Sequence, residues 1–152
     1  MTITVHLEAI VTGISTLSVS GVTMCDIDAI PTKASTNLPV FFPRPQDFVT
    51  NLVPKRVTYG NGTIAKIDLE YDLNYQFLYA MVGSGGSLLA SYADMIALIA
   101  LIVATILAND AVGGAVDIQL NGISNIGPLP DPGANAMYHG AEISLHVLEF
   151  AQ

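Results

Sequence analysis

Between Lys66 and Phe77 polar and apolar residues alternate without a fault: Ile67, Leu69, Tyr71, Leu73, Tyr75 and Phe77 are interleaved with Lys66, Asp68, Glu70, Asp72, Asn74 and Gln76. Successive side chains of a strand point to opposite sides of its sheet. The run therefore predicts a strand from Ala65 to Tyr79 with one apolar face for a core and one polar face for solvent or a channel. These twelve positions would span roughly 40 Å, longer than an average strand. Ahead of them, Gly60-Asn61-Gly62 tolerates positive φ and predicts a hairpin with a strand in Asp47 to Tyr59, where Pro54 marks a bulge or an edge. Leu38 to Pro45, LPVFFPRP, sets a β-prone core among three prolines, which predicts a strand that is short or lies at an edge.

Other segments change period. Leu7, Ile10, Val11, Ile14 and Leu17 recur at steps of three and four, the signature of an amphipathic helix. Ser18 to Asn37, rich in Ser, Thr, Gly and Asp, reads as an extended connection. Gly83-Ser84-Gly85-Gly86 breaks the long strand, and a helix is predicted from Ser87 or Ser91 to about Ala108. Its middle, MIALIALIVATIL, is apolar all round, so it must be covered on several sides. After Gly113-Gly114, Val116, Ile118 and Leu120 alternate with Asp117, Gln119 and Asn121. Ile143, Leu145 and Val147 alternate with Glu142, Ser144 and His146. Gly127 to Gly140, with three prolines and three glycines, reads as a long irregular loop between these two strands. The expected fold is α+β: one domain over 1–152, with a mostly antiparallel sheet of about five strands and two helices, in the order helix, three strands, helix, two strands.

Composition narrows the function. With 51% apolar and 12% charged residues the surface of a monomer would be poorly solvated, which points to covering partners. A net charge of -8 argues against a sequence-independent grip on nucleic acid, which requires Lys and Arg. The single Cys25 excludes an internal disulfide and fits a reducing compartment. Met1 to Val11 lacks the basic start of a signal peptide. The apolar run Met95 to Leu107 is 13 residues long, short of the roughly 18 needed to span a bilayer, so it reads as a buried helix and no membrane partner is expected.

Candidate chemistry is sparse. VGSGGS before a helix has neither a Walker ending nor dinucleotide spacing, and reads as a strand-to-helix turn. Asp68, Glu70 and Asp72 stand on one strand face about 7 Å apart, near enough to share a metal or divide acid and base roles, but no diagnostic partner accompanies them. A solvated acidic stripe is the plainer reading. His6, His139 and His146 are scattered, and neither an HExxH spacing nor a Gly-x-Ser-x-Gly elbow is present. The methionines and tyrosines read as core and sheet surface. No cofactor, metal or catalytic residue is expected, and the chain is not expected to be an enzyme.

The order and texture of PVFFPRP, IDLEYDLNYQFLYAMVGSG, SYADMIALIALIVATILAND, VDIQL and ISLHVLEF resemble the tail terminator proteins of long-tailed bacteriophages and gene transfer agents. The resemblance covers most of the chain and includes no catalytic signature. It implies a virion protein, assembled in the host cytoplasm, that forms a hexameric ring, caps the tail tube, stops its elongation and joins it to the head-tail connector or stopper protein. It also gives the carboxylates a role: Asp68, Glu70 and Asp72, with Asp117 and Glu142, would line a lumen through which genome DNA passes and would repel it. The Gly127 to Gly140 loop and the Ser18 to Asn37 connection are the expected contacts to tube or connector. The alternatives are another neck or tail-completion subunit, or a small-ligand, metal-binding or hydrolytic α+β domain using the acidic face with His146.

Overall fold

The computed structural model describes residues 5–26, 39–59, 63–81, 88–130 and 137–151. The elements in chain order are α1 (Leu7–Ser15), β1 (Thr23–Met24), β2 (Val40–Pro43), β3 (Val49–Tyr59), β4 (Thr63–Met81), α2 (Leu88–Leu107), a 3-10 turn (Val112–Gly114), β5 (Ala115–Pro130) and β6 (Met137–Ala151). The fold is α+β, as expected. The added element is the two-residue β1, which pairs in parallel with β2 and brings the sheet to six strands.

The organising strand is β4. One edge pairs antiparallel with β6 from Ile67↔Ala151 to Met81↔Tyr138, and the outer edge of β6 pairs with β5. The other edge of β4 serves two partners in succession, β3 along its first half and β2 along Tyr75 to Leu78. The handover occurs at Asn74: Arg44 N–H donates to its carbonyl at 3.0 Å, and its own N–H donates to the Phe48 carbonyl at 2.8 Å. Both backbone groups of Asn74 are thereby satisfied where one strand replaces the other. The Gly60-Asn61-Gly62 turn itself lies outside the described residues, but Tyr59↔Thr63 is the last pair before it, as a hairpin requires.

The alternation does what its period demands. Tyr71, Leu73, Tyr75 and Phe77 of β4 and Ala141, Ile143, Leu145 and Val147 of β6 are buried on one face, under Ile10, Val11 and Ile14 of α1 and Met95, Ile99, Ile102, Val103 and Ile106 of α2. Phe41 stacks on Tyr75 at 4.5 Å between ring centroids, and Phe48 meets the same ring edge-on at 5.2 Å. On the opposite face a small second cluster, Cys25, Val40, Phe42, Leu78 and Tyr138, covers only the β1–β2 end. Burial raises the pKa of the Cys25 thiol. The rest of that face is mostly polar, with Leu148 and Phe150 of β6 set among its acids.

One expectation is corrected. The stretch Gly127 to Gly140 is not one long loop. Gly127 to Pro130 closes β5 and Met137 to Gly140 opens β6, in register from Gly127↔Gly140 to Pro130↔Met137, and only 131–136 lie outside the described residues. Its prolines are tolerated because β5 is an edge strand whose outer N–H groups pair with nothing in the sheet. Pro54, paired with Leu69, lies on an edge strand, one of the two positions expected of it, and a bulge precedes it between Thr50 and Val53. Of the Ser18 to Asn37 connection, 27–38 lie outside the described residues, as do 82–87, which hold the VGSGGS turn.

α1 is held by two unusual contacts. The buried Glu149 lies on the core face of β6, where it accepts His6 N–H at 2.9 Å and the hydroxyl of Tyr71. A carboxylate here satisfies an N–H at the helix start and meets the positive end of its dipole. Burial, with the carboxylate alongside, holds the Tyr71 phenol in its neutral form. At the other contact the 3-10 turn lies backbone to backbone on α1. Gly113 has φ +67, and a Cβ there would come within 2.4 Å of Ala9 C and O and of Ile10 N. The change Gly113→Ala is expected to lower unfolding stability by about 1–3 kcal/mol, read as a drop in urea midpoint at constant m-value.

α2 buries a single stripe. Ile96, Leu101 and Leu107 stay 52%, 42% and 37% exposed, beside the exposed Ala97, Ala100 and Ala104. The expectation that this helix is covered on several sides is not met by the described residues of the chain. No helix among the described residues is long and apolar enough to cross a membrane.

Candidate functional site

The polar face of the sheet collects the chain's titratable chemistry. Register puts Asp68, Glu70, Asp72, Asn74 and Gln76 of β4 on the side away from the helices, with Glu142, Ser144 and His146 of β6 beside them through the pairs Gln76↔Glu142, Asn74↔Ser144 and Asp72↔His146. On β5, Asp117 pairs with Leu148 and Gln119 with His146, so Asp117 joins the same face. All five carboxylates singled out from the sequence, Asp68, Glu70, Asp72, Asp117 and Glu142, therefore share one surface.

They are not equivalent. Asp72 is 6% exposed, accepts from Asn51 Nδ2 at 2.7 Å and lies 2.8 Å from His146 Nδ1. The other His146 nitrogen is 3.7 Å from Glu70. Burial raises the pKa of the Asp72 carboxyl, but hydrogen bonds from Asn51 and His146, the charge of His146 and a further bond from Asn121 together outweigh it and leave the group below the usual carboxylate range. Glu142 receives Arg44 Nη1 at 2.8 Å and Asn125 Nδ2 at 2.6 Å. The same guanidinium forks onto both oxygens of Asp47, with Nε to Oδ1 at 2.5 Å; that bond pulls the Asp47 carboxyl down and pushes Arg44 up. Asp117 accepts from Gln119 at 2.7 Å, and Asp68 has one buried oxygen with no hydrogen-bond partner among the described residues.

The asparagines reach these carboxylates by way of bulges. Asn51 and Asn125 are the non-glycine residues with positive φ among the described residues, at 57° and 52°. Each sits in a register shift, Thr50/Val53 on β3 and Ser124/Gly127 on β5. A bulge re-aims a side chain that regular pleating would send elsewhere, and asparagine is the residue that best tolerates the conformation. Two edge strands thus each contribute one amide to one acid. Asn74 completes the lattice, donating to the Asp47 carbonyl and to Thr50 Oγ1, both at 2.9 Å.

Chemically the arrangement is a supported, net-acidic surface. The His146–Asp72 contact could orient an imidazole as a base, but its described surroundings are amides and carboxylates, with Ser144 bonded to Asn121 at 3.4 Å. Among the described residues no three His, Cys, Asp or Glu side chains are grouped to hold a metal ion. The other histidines are elsewhere: His6 precedes α1, and His139 lies edge-on to Tyr92 of α2 at 5.4 Å. Sequence reasoning missed Arg44, the bulged asparagines and Glu149. Only Glu149 carried a signal, since it continues the buried register Ile143, Leu145, Val147 with a charge. Compared with models of known protein families and with curated proteins, the chain matches none.

The depressed pKa of Asp72 makes stability depend on pH with a definite sign. Its contribution is complete above the ordinary carboxylate value of 3.8 and is lost as pH falls through the lower folded-state value. Asp72→Asn should cost about 1–3 kcal/mol at pH 7, because a donor then faces Asn51. It should also flatten the loss of stability below about pH 4, as read from urea midpoints between pH 2 and 7.

Proposed function

We propose that this chain is a non-catalytic structural subunit of a virion, a tail-terminator-like protein that acts as a ring. What carries the reading is the outward face of α2. A helix whose middle is apolar all round, with Ile96, Leu101 and Leu107 uncovered in the single chain, needs a neighbour to exclude water from it. A closed ring supplies one to every subunit. The reading draws as well on the fold class and order of elements, which the resemblance to tail terminators requires, and on the acidic sheet face, which suits the wall of a channel for DNA.

In that ring the polar face would look into the lumen. Asp68, Glu70 and Asp117 would keep the potential negative, so that a phosphate backbone slides past without adhering. Glu142 and Asp72, tied by Arg44, Asn51, Asn125 and His146, would serve chiefly to hold that wall in shape. The partners in this reading are the tail tube protein on one side and the connector or stopper protein on the other.

A second reading is favoured by the 2.8 Å contact of His146 with Asp72: a small-ligand or hydrolytic domain. A metabolite or metal that stays with the purified protein through native mass spectrometry would select it.

The test of the main reading is tail length. Particles assembled without this chain are expected to carry tails of uncontrolled length, or tails without heads, in negative-stain micrographs. Particles with normal, joined tails would sink the reading.

A further inference from the structure

Leaving aside Val5, which precedes α1, the large apolar residues exposed among the described residues fall into two sets. Val49, Leu52 and Val53 belong to β3. Ile96, Leu101 and Leu107 belong to α2, and Leu120, Ile126 and Met137 to β5 and β6. β3 and β5 are edge strands on opposite sides of the sheet, with β4 and β6 between them. α2 packs on the β5 side, where its Tyr92 meets His139 of β6. The two sets therefore lie on opposite flanks of one sheet.

The same device builds both flanks. The bulge of β3 sets Asn51 and Leu52 against the single residue Tyr71, and that of β5 sets Asn125 and Ile126 against Ala141. In each, the asparagine reaches an acid of the polar face, Asp72 or Glu142, and the residue after it is left uncovered, Leu52 at 57% and Ile126 at 50%. A bulge also interrupts the edge ladder, so neither edge is a good template for a further strand. What each flank offers a neighbour is side chains. Leu120, opposite Leu145, is on the helix side of β5 and continues the α2 face to the edge.

Area and charge decide what covers these flanks. α2 has 20 residues and is ~30 Å long; at a width of ~10 Å it offers ~300 Å², against ~800 Å² per partner in a stable interface. Pairing α2 with α2 across a two-fold axis would bury too little and leave the β3 flank in water. It would also set Asp94 and Asp110, at the two ends of the helix, against acids of the other copy. Joining the α2–β5 flank of one copy to the β3 flank of the next covers both sets at every contact. Val49 to Pro54 presents no charged residue to those two acids. The relation is heterologous, so it closes into a ring when the rotation permits.

We propose that the β3 flank, with Leu52, packs against the α2–β5 flank, with Leu101, of a second copy of this chain. The inference rests on the ring reading above and names what the neighbour presents to α2.

One charge placed on each flank tests it. Leu52→Glu spoils the first flank and Leu101→Glu the second, both at exposed sites. By size-exclusion chromatography with light scattering, the wild-type full-length chain should assemble beyond a dimer. Each variant alone should associate at least about tenfold more weakly and run as a monomer. A 1:1 mixture should give a heterodimer and nothing larger, because the Leu52→Glu chain keeps its α2 flank, the Leu101→Glu chain keeps its β3 flank, and the outer flanks of the pair are both spoiled. Circular dichroism melts check that the variants fold; if either does not, Val53→Glu and Ile96→Glu take their place. A monomeric wild-type chain, a Leu52→Glu chain that still assembles, as a two-fold through α2 would allow, or a mixture that stays monomeric would each overturn the proposed contact. Normal tails on particles lacking the chain would instead overturn its role in the virion and leave the contact standing, so the two fail separately.

Discussion

The pairing of β4 with β6, in the register that sets Asp72 against His146 and Leu73 against Leu145, is the constraint from which the rest of this molecule follows. Strand side chains have a period of two, so a slip of one residue would turn Asp68, Glu70 and Asp72 into the helices and Tyr71, Leu73 and Tyr75 into water. One pairing thus decides at once what is core and what is surface. The cost of the wrong register is large, because burying even one unpaired carboxylate outweighs a typical hydrogen bond several times over. β6 carries the matching alternation, so the two strands specify each other, and the edges of the sheet are added to a centre already fixed.

On the polar side the same register turns a row of acids into a structure. Left as bare carboxylates, neighbours on one strand face would repel one another. Here Arg44, arriving from the β2–β3 connection, answers Glu142 and Asp47, while amides from two bulged edge strands answer Asp72 and Glu142. The left-handed backbone at Asn51 and Asn125 costs on the order of 1 kcal/mol or more at each site. That cost is offset where the amide gains a charge-assisted bond. The result is a face that remains net acidic yet is stiff.

Much of this was legible from the residues. The unbroken alternation through β4, the three-and-four spacing of α1 and the apolar run of α2 each reflect a local rule, and each element stands where that rule puts it. Parity alone placed Asp68, Glu70 and Asp72 together, while Asp117 and Glu142 were set beside them only by the resemblance. The failures were of two kinds. Gly127 to Pro130 reads as loop because proline and glycine dominate it, and only its position at a sheet edge makes those residues admissible in a strand. Arg44 with Glu142 and Asn51 with Asp72 are long-range meetings that no spacing announces. Glu149 fell between the two kinds: its parity marked it as buried, but its partners at His6 and Tyr71 come from the tertiary fold.

The buried Glu149 also bears on how the chain comes to be folded. It fastens a helix near one end of the sequence, at His6, to a strand 143 residues later. During synthesis α1 emerges early with Ile10, Val11 and Ile14 uncovered, and it cannot be seated until β6 has left the ribosome and joined β4. Local contacts form early and distant ones late, so this helix is among the last parts to lock. In the interval its apolar face is open to other growing chains.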